Sequence, residues 1–297
     1  MGEIAAFATS FCWSLNSIQF TFAGQRVGSR VVNRVRLAVA VVLLSVAHLL
    51  LRGSLWPVRA EAYRWVWLGL SGTVGLVLGD GSLFHAFLLI GPRRSVVLMT
   101  FVPVVSTVAA RVLLGETLLP VETIAILITV VGIAAVVSER QSDPDSVGQN
   151  PQDRVLGLLL GLGGATGQSL GLVAAKRGLI GDLAALSATV MRMIVGTVVI
   201  WLLAALRRQV GTTWRALKDR QACLWIAGGA FVGPFLGVWL SLMAVRAAPV
   251  GIASTLMALS PIILIPFDHW VFHERVTVRS VIGTVVALTG AAVVFVT

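Results

Sequence analysis

The 297-residue chain is 57% hydrophobic and only 12% charged, with a mean hydropathy of +0.92, a composition that excludes a soluble globular domain. Its formal net charge of +10 raises nucleic acid as a partner, but Lys and Arg stand singly or in pairs in short loops between apolar segments. That is the distribution of membrane-orienting charges and not of a basic binding face, so nucleic acid is excluded as well.

Apolar runs of the ~18 residues or more that cross ~30 Å of hydrocarbon follow one another along the chain. With charges, Pro and Gly as punctuation, they predict helices at 4–24, 34–51, 65–90, 95–114, 121–138, 155–174, 184–206, 222–245, 250–267 and 278–296. The first begins almost at Met1 without a basic n-region and continues for about twenty residues, which reads as a retained helix and not a cleaved signal. It carries Ser10, Ser14, Ser17 and Thr21 as one polar stripe, with Asn16 and Gln19 as a second polar edge. Small hydroxyls suit packing against a neighbouring helix; the longer Asn16, and Gln168 in the corresponding sixth helix, suit substrate contact.

In the second segment Arg36 stands near the helix start and His48 near the interfacial end. The third, LGLSGTVGLVLGDGSLFHAFLL, holds Asp80, whose carboxylate would cost on the order of 3 kcal/mol to insert unpaired. It reads either as a proton-coupling group or contact for a cationic part of the substrate, or as half of an ion pair with Arg36 or Arg192. His85 lies roughly 140° around the helix from it and reads as an interhelical histidine, with a substrate contact as the alternative. Pro103 interrupts the fourth segment, and Glu116 just after it in LLGETL suits a helix cap or a partner for loop arginines.

The polar stretch Ser138–Arg154, SERQSDPDSVGQNPQDR, cannot be embedded and reads as a linker. Beyond it, Thr166, Gln168 and Ser169 answer the polar stripe of the first helix, and Arg192 answers Arg36. The two arginines read as a shared structural task, snorkelling or tying a helix end, with an anionic substrate as the alternative. Glycine clusters such as GLLLGLGGATGQSLG and GGAFVGPFLG follow no strand and precede no Gly-Lys-Ser/Thr, so they read as close helix packing and not as a nucleotide loop. Pro261 interrupts the ninth segment, and FDHWVFHER lacks the H-E-x-x-H order of a zinc site. Cys12 and Cys223 build neither a disulfide framework nor a metal cluster. No catalytic triad, metal-ligand set or ATP motif converges anywhere, which argues against an enzyme, a metal or a cofactor, and leaves an ion or substrate gradient, or passive flow, to move cargo.

A shift of 158 residues superposes Gly75 on Gly233, Gly79 on Gly237, Leu98-Met99 on Leu256-Met257, Pro103 on Pro261, Glu116 on Glu274 and Gly132 on Gly290. A slightly smaller shift pairs Ser14 with Ser169 and Arg36 with Arg192. The expected fold is therefore an all-α integral membrane protein with ten transmembrane helices in two five-helix repeats, 1–138 and 154–297, joined by the linker 139–153. An odd number of helices per repeat inverts the second relative to the first, the arrangement that gives secondary transporters alternating access. The basic residues concentrate on the side away from Met1, which by the positive-inside rule puts both termini outside the cytoplasm.

The joint order of Trp13 and Asn16 in FCWSLNS, the matched Pro103 and Pro261, and the acidic residues of LLGETL and VFHERV resembles the drug/metabolite transporter superfamily, specifically its EamA type. The resemblance covers nearly the whole chain. It implies a ten-helix fold around a central cavity that exports small metabolites such as amino acids across the cytoplasmic (inner) cell membrane. A broad multidrug exporter and a non-transporting membrane scaffold are the alternatives. It also implies cytoplasmic termini, against the charge count; the basic loop RRQVGTTWRALKDR causes that conflict. The expected substrate-contact residues are Trp13, Asn16, Gln19, Asp80, His85, Gln168 and Ser169, with Pro103 and Pro261 as gating kinks. The expected partners are a small-molecule substrate, the lipid bilayer and, as candidate coupling ion, protons.

Overall fold

The computed structural model describes residues 1–139, 150–263 and 278–296, whose regular structure is helical. Helix α1 (Gly2–Val27) turns into α2 (Ser29–Arg52) through Gly28 alone, whose φ of 82° is open to glycine at no steric cost. Next come α3 (Ala62–Ser71), a π-helical segment π1 (Gly72–Gly79) and α4 (Asp80–Met99), then α5 (Val102–Leu114) and α6 (Pro120–Glu139). The second half of the chain runs α7 (Pro151–Gly178), α8 (Ala185–Leu206), the short α9 (Val210–Ala216), α10 (Arg220–Ala230), π2 (Phe231–Gly237), α11 (Val238–Ala247), α12 (Val250–Met257) and α13 (Val278–Val296).

Five helical runs among the described residues are long and apolar enough to cross a membrane: Ser29–Arg52, Ala62–Ala86, Pro151–Gly178, Ala185–Leu206 and Arg220–Ala247. Shorter apolar helices cover Val102–Leu114, Pro120–Ala135, Val250–Ile263 and Val281–Val293. Residues 140–149 of the expected linker lie outside the described residues, as does FDHWVFHER with Glu274. At the linker's far edge Asn150 caps α7 by accepting the Gln152 N–H at 3.2 Å, with Pro151 in the first helical position.

One expected break is absent. The helix runs through Gly91-Pro92 to Met99, whereas Ala248-Pro249, one residue out of the 158-residue register, is a true corner with Ala248 extended. The residue before a proline is pushed from the helical region largely by its Cβ, which Ala248 has and Gly91 lacks.

The contacts between the halves come in matched pairs. Helix α1 packs on α10, π2 and α11, and α7 packs on α3, π1 and α4. Helix α2 packs on α8, α5 on α12 and α6 on α13. At the last crossing a Cβ on Gly132 would strike Ala287, and one on Gly290 would strike Thr129; both pairs keep the 158-residue shift. The helical breaks keep it too, since Thr100 and Phe101 form a turn ahead of Pro103, as Ala258 and Leu259 do ahead of Pro261. Lipid gives helices no hydrophobic reason to associate, so such small-residue approaches, together with interhelical hydrogen bonds, hold the bundle.

Candidate functional site

The crossing of α7 over π1 is made of backbone. A Cβ on Gly171 would stand 2.9 Å from Gly75 Cα, and one on Gly167 would stand 2.8 Å from Gly79 Cα. This close approach brings Asp80, the first residue after π1, against the end of Gln168, whose amide donates to one carboxylate oxygen while Arg36 of α2 pairs with the other. Arg36 is completed by Asn33, which accepts from its Nε at 2.8 Å, and by the rings of Phe20 and Phe84, with centroids 5.3 and 5.4 Å from the guanidinium carbon. Asp80 is 6% exposed and Arg36 9%. Of the two readings of Asp80, the ion pair with Arg36 is formed.

Arg192 of α8 shares this buried space, 2% exposed, and is neither a snorkelling nor a helix-end residue. Its guanidinium lies over Gly75, where a Cβ would stand 2.9 Å from Nη2, and its carbonyl oxygen abuts Gly72. It faces Asp80, yet its Nε has no hydrogen-bond partner.

The matching crossing of α1 over π2 is made of side chains. Trp13, Asn16 and Phe20 lie along one face of α1 and rest on Gly237, Gly233 and Gly229, while Gln19 rests on Gly228. Trp13, Asn16 and Gln19 are half-buried, and Gln19 Oε1 is a buried acceptor without a partner. The position equivalent to Asp80 is Val238, buried and apolar.

Ser169 is accounted for by packing: its hydroxyl lies 3.1 Å from the Val102 carbonyl and 2.8 Å from that of Ala165. Ser14 does the same at the matched place, reaching the Ser260 and Ser10 carbonyls at 2.8 Å. Each serine therefore crosses to the carbonyl that precedes a proline in the other half. Pro103 starts α5 and so sets a break between two helices, not a bend inside one. His85 is exposed on α4, away from the cluster. His48, one turn from the end of α2, is buried by protein, held between Ser187 at 3.0 Å and the Ser54 carbonyl at 2.5 Å.

At the end of the bundle near Met1, Glu116 joins three segments. It pairs with Lys176 at 2.9 Å and accepts the Val250 N–H at 2.8 Å, while Lys176 donates to the Ala248 carbonyl at 2.6 Å. Glu116 thus caps a helix of the other half of the chain, not the one that follows it. At the opposite end the halves meet through a more exposed pair, Arg26 and Asp219 at 2.8 Å. Asp219 lies just outside α10 and caps it, and the Ala222 N–H, helped by Arg26, holds its carboxyl below the usual range.

Sequence reasoning missed the π segments, the ring sandwich on Arg36 and the Lys176 bond to Glu116. Lys176 had a signal, since a lysine at the end of a long apolar helix needs an acceptor.

The profile of the EamA-like transporter family matches residues 1–138 and 155–296. No curated protein matches the chain. One solved crystal structure, described only as that of a protein, aligns over 99% of this chain and 96% of its own with a TM-score of 0.74 at 18% identity, a likeness of fold.

Proposed function

Because the chain belongs to the EamA-like transporter family, within the drug/metabolite transporter superfamily, we propose that it is a secondary transporter exporting small metabolites such as amino acids from the cell across the inner membrane. In this reading ten helices form two inverted five-helix repeats around a central cavity, and rocking of one repeat against the other exposes that cavity to each side in turn. The observation that carries it is the exchange of partners: α1 lies on α10 and α11 as α7 lies on α3 and α4, while α2, α5 and α6 each meet their own counterparts. A two-fold axis in the membrane plane produces such a pattern, and a scaffold has no use for it.

The cavity walls are α1 and α7, with Trp13, Asn16, Gln19 and Gln168 as contacts; the half-burial of these side chains and the unpartnered Gln19 Oε1 support this. The breaks ahead of Pro103 and Pro261 are the hinges, and the Glu116–Lys176 tie is the gate nearest Met1. Protons are the candidate coupling ion, with Asp80, the one acidic residue buried among the described residues, as the group they would reach.

The test is amino-acid counterflow in proteoliposomes, using a chain with Cys12 and Cys223 replaced and carrying Glu116→Cys and Lys176→Cys. Counterflow is expected before treatment and should stop when a short bis-thiol cross-linker fixes that end. Unchanged turnover after complete cross-linking would remove this gate, and no counterflow of any amino acid or drug in the untreated protein would favour the scaffold.

A further inference from the structure

Two guanidiniums and one carboxylate are buried together. Arg36 and Asp80 satisfy each other, and Asn33, Gln168, Phe20 and Phe84 complete them. Arg192 is left over: it is almost wholly buried, makes no ion pair with a described residue, and has an Nε without a partner. A buried cation without a hydrogen-bonded counter-ion is costly. Its counterpart Arg36 has a full set of partners, so the frame shared by the two halves does not require a guanidinium left unpaired. Intramembrane charge that the frame does not need belongs by default to function.

We propose that Arg192 binds a single carboxylate of the substrate, so that the cargo is a small carboxylic acid or an amino acid held by its carboxylate. The inference rests on the transporter reading above and narrows its substrate class. Charge selects that class. Two arginines against one aspartate leave one positive charge, which one monoanion neutralises; a cationic drug would add to the excess, and a phosphate dianion would overturn it. Geometry agrees, because Nε and one terminal nitrogen of a guanidinium form a side-on fork that matches the two oxygens of a carboxylate. The open Nε is half of that fork. Gly75 leaves its face of the guanidinium clear of side chains, and π turns such as the one holding Gly75 recur at functional positions. Since Arg192 is 2% exposed, an anion reaches it when the helices part, the step that alternating access supplies.

The experiment follows thermal unfolding of the full chain in detergent by the fluorescence of its nine tryptophans. The probes are matched sets: amino acids, their amides, the corresponding deaminated acids, and phosphate monoesters. Acids and amino acids should raise the melting temperature, with amides at least tenfold weaker by titration. Arg192→Gln should melt at the same temperature or higher without ligand, because it removes a lone buried cation, and should lose the response to carboxylates. Arg192→Lys keeps the charge without the fork and should respond more weakly than the parent. Amides equal to acids, a response kept in Arg192→Gln, a melting temperature lowered in both variants, tighter binding of phosphate monoesters, or silence across the panel would each overturn the assignment. Proteoliposome uptake separates it from the transporter reading. Uptake of amides or cations that survives Arg192→Gln keeps the transporter and removes the site; carboxylate binding through Arg192 without any uptake does the reverse.

Discussion

The crossings of α7 over π1 and of α1 over π2 occupy matched places and are built from opposite materials. The first joins glycine to glycine and surrounds Asp80 with Arg36, Gln168 and Arg192; the second seats Trp13, Asn16 and Phe20 on glycines beside Val238. A common backbone frame therefore carries charge in one copy and half-buried amides and rings in the other. In the proposed transport cycle, symmetry supplies the motion and the departures from it supply the chemistry.

The strongest way to break that contrast is Asp80→Asn, which strands the Arg36 guanidinium and removes the one negative charge that Arg192 faces, and should cost about 3–5 kcal/mol, while Val238→Ala at the equivalent place loses only apolar contact and a fraction of that. Equal losses in detergent melts would mean that the cluster is no more than packing. A smaller difference should separate Gly171→Ala from Gly233→Ala. The new methyl meets Gly75 backbone in the first case, costing about 1–3 kcal/mol, but meets the movable Asn16 side chain in the second, where less should be lost. The reverse order would show the first crossing to be the looser. The smallest effect tests where the crossings agree: Ser14→Ala and Ser169→Ala each remove a hydroxyl bonded across the halves and should cost the same, about 0.6 kcal/mol. Melts that differ by more than that would show that the two bonds do not hold the halves equally.

Much of the frame was legible in the sequence. The 158-residue shift that aligned Pro103 with Pro261 also aligns the turns ahead of them, the π segments and the crossing of α6 with α13, because small residues and prolines act locally on the backbone. The π segments themselves were not legible, since GTVGLVLG reads the same in either helical form. Asp80 announced a partner but not which one, as Arg36 and Arg192 are equally distant in pattern and only packing separates them. The partners of Glu116 and His48 were not legible for a related reason. Both reach partners on the other half of the chain, Val250 with Lys176 and Ser187, and a period along one helix carries no information about the helix it meets.

The π turn ahead of Asp80 makes the cluster depend on spacing as well as on residue type. A π segment turns less per residue than an α-helix, so rewinding it as α-helix at the same length rotates everything beyond it, whereas removing one residue takes up most of that rotation. Rewinding Gly72–Gly79 as α-helix at unchanged length would thus leave every charged side chain present and every helix intact while swinging Asp80 away from Arg36 and Gln168. The phase of one helix relative to its neighbours, and not only its composition, is what sets charge against charge in this bundle.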